Sequence, residues 1–215
     1  MKKLLVILLI SLLPSVIHAS DLTTDRPHWS FELKAGKLIP DIENWSATYG
    51  DRDTTQFGST VAYKITRQLE AGIGGGYSRS GGSGVAPLHN ISAGHVVLNL
   101  YPVDVFILAR GIFTENQWLV PYVGGGWSRV FYREEVGDEG VARGYANGYN
   151  ARGGLQFLID MLDQEAANSF YRDFGVRHTY FFLEAQYTRA MADTVSSGTV
   201  NIGGTSWMGG LLFEF

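Results

Sequence analysis

From Trp29 to Phe215 apolar and polar residues alternate with a period of two. Trp29, Phe31, Leu33 and Ala35 are interleaved with Ser30, Glu32, Lys34 and Gly36. A β-strand points successive side chains to opposite faces, so such a run has one apolar and one polar face. A second run sets Phe57, Ser59, Val61, Tyr63 and Ile65 against Gln56, Gly58, Thr60, Ala62 and Lys64. After a tight connection near Thr66-Arg67, Leu69, Ala71, Ile73, Gly75 and Tyr77 oppose Glu70, Gly72, Gly74, Gly76 and Ser78. A fourth strand falls within 93–113, with Val105, Ile107 and Ala109 opposite Asp104, Phe106, Leu108 and Arg110. Pro102 cannot donate to a ladder and is expected at a bulge, where a one-residue slip would swap the two faces of this strand. The fifth and sixth strands are read at about 119–131 and 144–157. The seventh sets Thr179, Phe181, Leu183, Ala185 and Tyr187 against Tyr180, Phe182, Glu184, Gln186 and Thr188. The last sets Trp207, Gly209, Leu211, Phe213 and Phe215 against Ser206, Met208, Gly210, Leu212 and Glu214.

The links alternate in length. Segments 40–55, 79–92, 132–143 and 190–203 read as long polar loops, and the links after the second and fourth strands are short. After the sixth strand, Leu158, Ile159, Leu162, Ala166 and Phe170 recur near helical spacing with acidic and amide residues between them. This predicts a short amphipathic helix within 158–171, its apolar face buried against the barrel rim or lipid headgroups.

A soluble β-barrel would turn the apolar face inward, and a membrane barrel turns it outward. Runs of 10–12 alternating residues match a tilted crossing of about 9–11 residues. Trp29, Tyr63, Tyr77, Trp127, Tyr187 and Trp207 crowd the strand ends, as interfacial girdles do. The polar face carries Glu32, Lys34, Lys64, Glu70, Asp104, Arg110, Arg152, Glu184 and Glu214, too many charges for a soluble core. Closure leaves no unpaired edge, which lipid requires. The expected fold is all-β: an eight-stranded antiparallel up-and-down transmembrane β-barrel with one short periplasmic helix, in the cell outer membrane.

Composition narrows the rest. The chain has 215 residues, 27 of them Gly and none Cys, with a formal net charge of −4. A thiol nucleophile, a disulfide scaffold and a Cys-ligated metal are excluded, and no basic excess points to nucleic acid. Met1-Lys2-Lys3 followed by an apolar run to Ile17 and a small residue at Ala19 has the layout of a signal peptide over 1–19, which leaves 20–215 as the barrel.

Several segments carry a resemblance. These are Ser30-Phe31-Glu32-Leu33-Lys34-Ala35-Gly36 leading to Pro40, Val120-Pro121-Tyr122-Val123-Gly124-Gly125-Gly126, Gly153-Gly154-Leu155-Gln156-Phe157, and Gly209-Gly210-Leu211-Leu212-Phe213-Glu214-Phe215. They resemble the small eight-stranded bacterial outer-membrane barrels of the OmpA transmembrane-domain and OmpW-like group. The aromatic ending at Phe215 is similar to the signal that the barrel assembly machinery reads. The resemblance implies outer-membrane lipid and lipopolysaccharide as surroundings, a monomer, and no assigned activity.

An eight-stranded barrel has an interior that side chains can just fill. Five acids and four bases among the nine polar-face charges predict a paired plug, because unpaired buried charges are costly. A narrow gated path for small or hydrophobic solutes is the alternative, and a wide pore needs about 16–18 strands. Gly72, Gly74, Gly76, Gly124 and Gly126 are expected to make room for Phe106, Tyr122, Tyr180 and Phe182. Neither Gly run matches G-x-G-x-x-G leading into a helix, so no nucleotide loop or cofactor is expected. An acyl-transferring barrel enzyme would use a Ser activated by a His. His89-Asn90-Ile91-Ser92 is the one His–Ser cluster and lies at a loop edge, while His28 and His178 fall at the periplasmic rim. Asp41, Glu43, Asp51, Asp53, Glu134, Glu135, Asp138 and Glu139 read as solvated loop acids, without an EF-hand pattern. The sequence therefore points to a non-enzymatic barrel with a structural or surface-interaction role.

Overall fold

Closing an antiparallel sheet on itself requires every strand to have two partners, and the register supplies them. The computed structural model describes residues 26–88, 91–114, 117–137, 140–194 and 198–215. The expected signal peptide, His89-Asn90, Asp138 and Glu139 lie outside the described residues. The elements are β1 (Trp29–Pro40), α1 (Trp45–Tyr49), β2 (Thr54–Lys64), β3 (Leu69–Ala86), β4 (Ile91–Arg110), β5 (Leu119–Val136), β6 (Gly140–Leu158), α2 (Gln164–Phe174), β7 (His178–Asp193), β8 (Thr199–Asn201) and β9 (Gly204–Glu214). Each strand pairs antiparallel with its sequence neighbour from β1 to β7, and β1 and β7 both pair with β9. The pairs Met191↔Asn201 and Thr188↔Gly204 make β8 a continuation of β9, interrupted at Ile202-Gly203. The result is a closed barrel of eight strands. Among the described residues, no helix is long and apolar enough to cross a membrane.

The period-two pattern determines the two faces. Leu33, Phe57, Ile73, Val105, Ile107, Val123, Leu183 and Leu211 point outward and stay exposed, and the alternate residues are buried inside. The start of β1, the end of β9 and the links 65–68, 111–118 and 159–177, the last with α2, share one end, here called the terminal end. The opposite end, where β3 to β6 extend furthest, is the loop end.

Three expectations are corrected. Segments 79–92, 132–143 and 190–203 are largely strand rather than loop. β3 to β6 run 18, 20, 18 and 19 residues, nearly twice a membrane crossing. They persist because their inward residues remain apolar, from Leu98 and Leu100 to Val130, Val136 and Ala146. Pro102 makes no bulge. Tyr101↔Phe131, Pro102↔Val130 and Val103↔Arg129 keep one register, and on the other side pairing resumes at Ser78↔Leu100 in step with Gly75↔Val103. The missing donor costs a gap in the ladder and no slip, so Asp104 and Arg110 face inward. The register shift lies instead between Gly82 and Gly84, where Gly84 adopts φ 141°.

The amphipathic helix lies at 164–174 rather than within 158–171, because Asp163 caps it, accepting from the Ala166 N–H at 2.9 Å. Gly175, with φ 74°, ends it in the left-handed conformation. No residue of α2 is buried: Phe170 packs on Phe213, with ring centroids 6.3 Å apart, and otherwise stays exposed. A second helix, α1, is too short to leave a periodic signal.

Candidate functional site

The lumen is filled in layers. Near the terminal end, Glu214 of β9 meets Lys64 of β2 and Arg110 of β4 in two close ion pairs. Arg110 also lies 3.7 Å from Glu70, donates to Gln156 Oε1 and stacks over Tyr180. The register brings these residues together, since Lys64 pairs with Glu70 across β2–β3. Lys64, Glu70, Arg110 and Glu214 are all at most 4% exposed. At that burial two charges are retained only when geometry and hydrogen bonds compensate for lost hydration.

The middle layer is built on two carboxylates. Glu184 accepts from Lys34 Nζ at 2.7 Å and from the Tyr122 hydroxyl at 3.0 Å. Asp104 accepts from Ser128, from Asn150 at 3.4 Å and from Gln186 at 3.0 Å. Arg152 spans them, 3.9 Å from Glu184 and 4.0 Å from Asp104, with its guanidinium 3.8 Å above the Phe106 ring. Glu32 accepts from Thr60 alongside. All nine charges read from the polar face thus lie inside the barrel. A void of about 10 Å³ remains among Lys34, Gln56, Asp104 and Gln186, about the size of one water. The lumen glycines accommodate large neighbours: a Cβ on Gly72 would lie 2.7 Å from the Phe106 ring, and one on Gly154 2.8 Å from the Tyr122 hydroxyl.

Above this layer the interior turns apolar. Leu38, Leu88, Leu98, Leu100, Val130 and Ile202 are among the residues that form a buried cluster, and α1 folds inward to complete it with Trp45 and Tyr49. Neither the cap nor its inward helix was apparent from the sequence, although Leu98, Leu100 and Val130 continue the alternation past the membrane. Thr48 donates to the Val85 carbonyl at 2.9 Å, and a Cβ on Gly82 would overlap the Thr48 carbonyl. Burial, reinforced by Glu134, raises the Tyr49 hydroxyl well above the ordinary tyrosine range, so it stays neutral. Glu134 is a correction: it is a buried residue accepting from the Leu88 N–H at 3.1 Å, not a solvated loop acid. Asp41, Asp53 and Glu135 do lie at the surface, bonded to Asn201, Lys37 and Arg133. Gly82→Val should therefore lift α1 from its seat. It is expected to cost about 1–3 kcal/mol and to speed tryptic cleavage after the exposed Arg52, followed by mass spectrometry.

At the terminal end the barrel opens into a vestibule of about 1040 Å³, lined in part by Arg67, Asp160, Tyr171 and His178, with Lys64 and Glu214 on its inner side. His178 Nδ1 lies 3.2 Å from Asp160, which also accepts from the Thr179 N–H. No hydroxyl nucleophile completes that pair in the described contacts. Among the described residues no group of three or more His, Asp or Glu side chains is placed to hold a metal.

No protein-family model matches the chain, and no curated protein does. Solved structures do. Neisserial surface protein A is 13% identical with a TM-score of 0.53, over 87% of this chain and 97% of that one. The outer membrane protein OprG from Pseudomonas aeruginosa is 14% identical with a TM-score of 0.53, over 88% and 97%. The fold is that of the small eight-stranded outer-membrane β-barrels. A girdle of exposed apolar side chains closed on itself is a surface that lipid solvates, with Trp29 and Tyr63 at one edge and Tyr77, Tyr101 and Trp127 at the other.

Proposed function

We propose that this chain is an integral outer-membrane protein that acts as a closed scaffold, holding its loop-end surface toward the exterior without catalysing a reaction. The loop end faces outward in this reading because β3 to β6 reach furthest beyond the aromatic girdle there, as the longer extracellular hairpins of outer-membrane barrels do. The observation that carries the reading is the filled lumen: two ionic layers capped by an apolar cluster and α1. The vestibule ends on Lys64 and Glu214, and Glu214 holds the buried Arg110.

The second reading is a narrow conduit for small or hydrophobic solutes, favoured by the large vestibule and by the apolar lining of the loop end. Planar-bilayer recordings separate the two. The scaffold predicts no stepwise conductance above the lipid baseline. Steps whose size changes in Arg110→Ala or Glu184→Ala would overturn it in favour of the conduit. Expression that alters the mass of lipid A would instead argue for an enzyme.

A further inference from the structure

Outside the barrel, the loop-end half of β3 to β6 carries a second ordered feature. The register aligns Arg79 with Asn99, Asn99 with Arg133, and Arg133 with Arg143. These four residues form one row across four strands on the outward face. One pleat nearer the membrane lies a row of aromatics, Tyr77, Tyr101, Phe131 and Tyr145, with Phe131 paired to both Tyr101 and Tyr145. Tyr77 and Tyr101 pack with ring centroids 5.2 Å apart, and Phe131 and Tyr145 at 6.2 Å. Below them Arg129 is held between Trp127 and Tyr145, at 5.1 and 4.6 Å from the ring centroids.

The arginine row is electrostatically incomplete. Like charges directly opposite on one sheet face repel, and Arg133 and Arg143 are such a pair. Glu135 answers Arg133 alone, at 3.0 Å. Among the described residues neither the Arg79 nor the Arg143 guanidinium has an ion-pair or hydrogen-bond partner. Glu134, the next acid along β5, points inward and is fully buried. The row therefore offers forked donors aimed outward, about 7 Å beyond an aromatic girdle. That is the level of lipid headgroups, where Tyr and Trp rings settle. Arginine forks match phosphate oxygens two at a time.

We propose that Arg79, Arg133 and Arg143 form a binding face for the phosphate groups of an anionic outer-leaflet glycolipid, whose acyl chains lie against the aromatic row below. The inference rests on the membrane reading and on its orientation. It names the lipid rather than a soluble polyanion because the row is continuous with the exposed apolar belt: Val103, Val105 and Ile107 follow beneath Tyr101 on the outward face of β4. A lipid bound there bridges four strands and removes the repulsion between Arg133 and Arg143.

The test uses the whole protein folded into phosphatidylcholine vesicles, alone, with a minor fraction of bis-phosphorylated lipid A, with the dephosphorylated form, or with inorganic phosphate in solution. Flotation with the vesicles and a heat-modifiable band report insertion, so a failure of the membrane reading shows at that stage. The readout is the temperature at which the folded band is lost, titrated against lipid. Only bis-phosphorylated lipid A is expected to raise it. The triple variant Arg79→Gln, Arg133→Gln, Arg143→Gln should fold equally well in plain phosphatidylcholine yet bind the lipid at least about tenfold more weakly, since each charge-assisted hydrogen bond is worth about a factor of ten or more. Lys37→Gln, which removes a paired surface cation at the same end, should leave the lipid response unchanged. An equal response in the triple variant, or to dephosphorylated lipid, would overturn the proposal. A response to free phosphate without one to the lipid would reassign the row to a soluble anion and overturn it equally.

Discussion

Glu214→Gln is expected to lower the unfolding free energy of the barrel by about 3–5 kcal/mol, read as a shift of the urea midpoint in vesicles. The substitution changes shape little and removes one negative charge. It leaves Lys64 and Arg110, both almost fully buried, facing each other across the site the carboxylate neutralised. Glu70 remains 3.7 Å from Arg110 but cannot serve both cations. The comparison that isolates burial is Lys37→Gln, which breaks an ion pair of 2.8 Å to Asp53 with side chains 59% and 39% exposed. An exposed pair is worth about 0–1 kcal/mol, so similar geometry should give a several-fold smaller effect. Equal losses in the two variants would mean that Glu214 is hydrated, and the lumen could not then be called closed at that level.

The two chemistries of the interior explain what could be read from the chain. Charged positions announce themselves: Glu32, Lys34, Arg110, Arg152 and Glu184 sit at alternate positions opposite Leu33, Ala109, Ala151 and Leu183. No tertiary information is needed to place them on a common face, and pleating does the rest. Which charge meets which was not legible, because a pairing such as Lys34 with Glu184 joins residues on strands that are not neighbours and depends on how strongly the closed barrel twists. Arg110 and Glu214 meet in the same way across the lumen.

The loop end was misread for a physical reason. Polar residues such as Arg79, Arg133 and Arg143 occupy the outward positions there, and the inward ones, Tyr132 and Glu134 apart, are small or aliphatic. The segment then looks like a hydrophilic loop although its alternation is intact, with hydrophobic side chains at Val130, Val136 and Ala146 facing in. Outside the membrane the sheet reverts to the ordinary sense of a soluble protein, polar outside and apolar inside. One chain therefore carries both patterns on the same strands, and the change of sense marks where lipid ends. At Pro102 a missing donor does not entail a slip. The neighbouring pairs show that a ladder tolerates a gap when the proline ring has somewhere to go, and Gly76 provides it, with 3.1 Å between a built Cβ and Pro102 Cγ.

Gly126→Val should abolish folding, with no heat-resistant band on a detergent gel and a loss beyond about 4 kcal/mol, the extreme of single substitutions. A Cβ at residue 126 would overlap the Val105 carbonyl and press on the Phe106 backbone across the β4–β5 pair. Neither can retreat, because Phe106 is 2% exposed and its ring carries Arg152 at 3.8 Å. Moving the β4 backbone would disturb Asp104 and the middle layer together. The same change at Gly81 provides the contrast. That residue faces outward on the extension of β3, and a Cβ there meets nothing within 4 Å. Gly81→Val should stay within about 0.5 kcal/mol of the parent, with β-branching favouring the strand. The two variants have the same side chain added to the same kind of sheet. Their difference therefore measures how closely β4 and β5 approach inside the barrel, and a folded Gly126→Val protein would show that the lumen is looser than its packing implies.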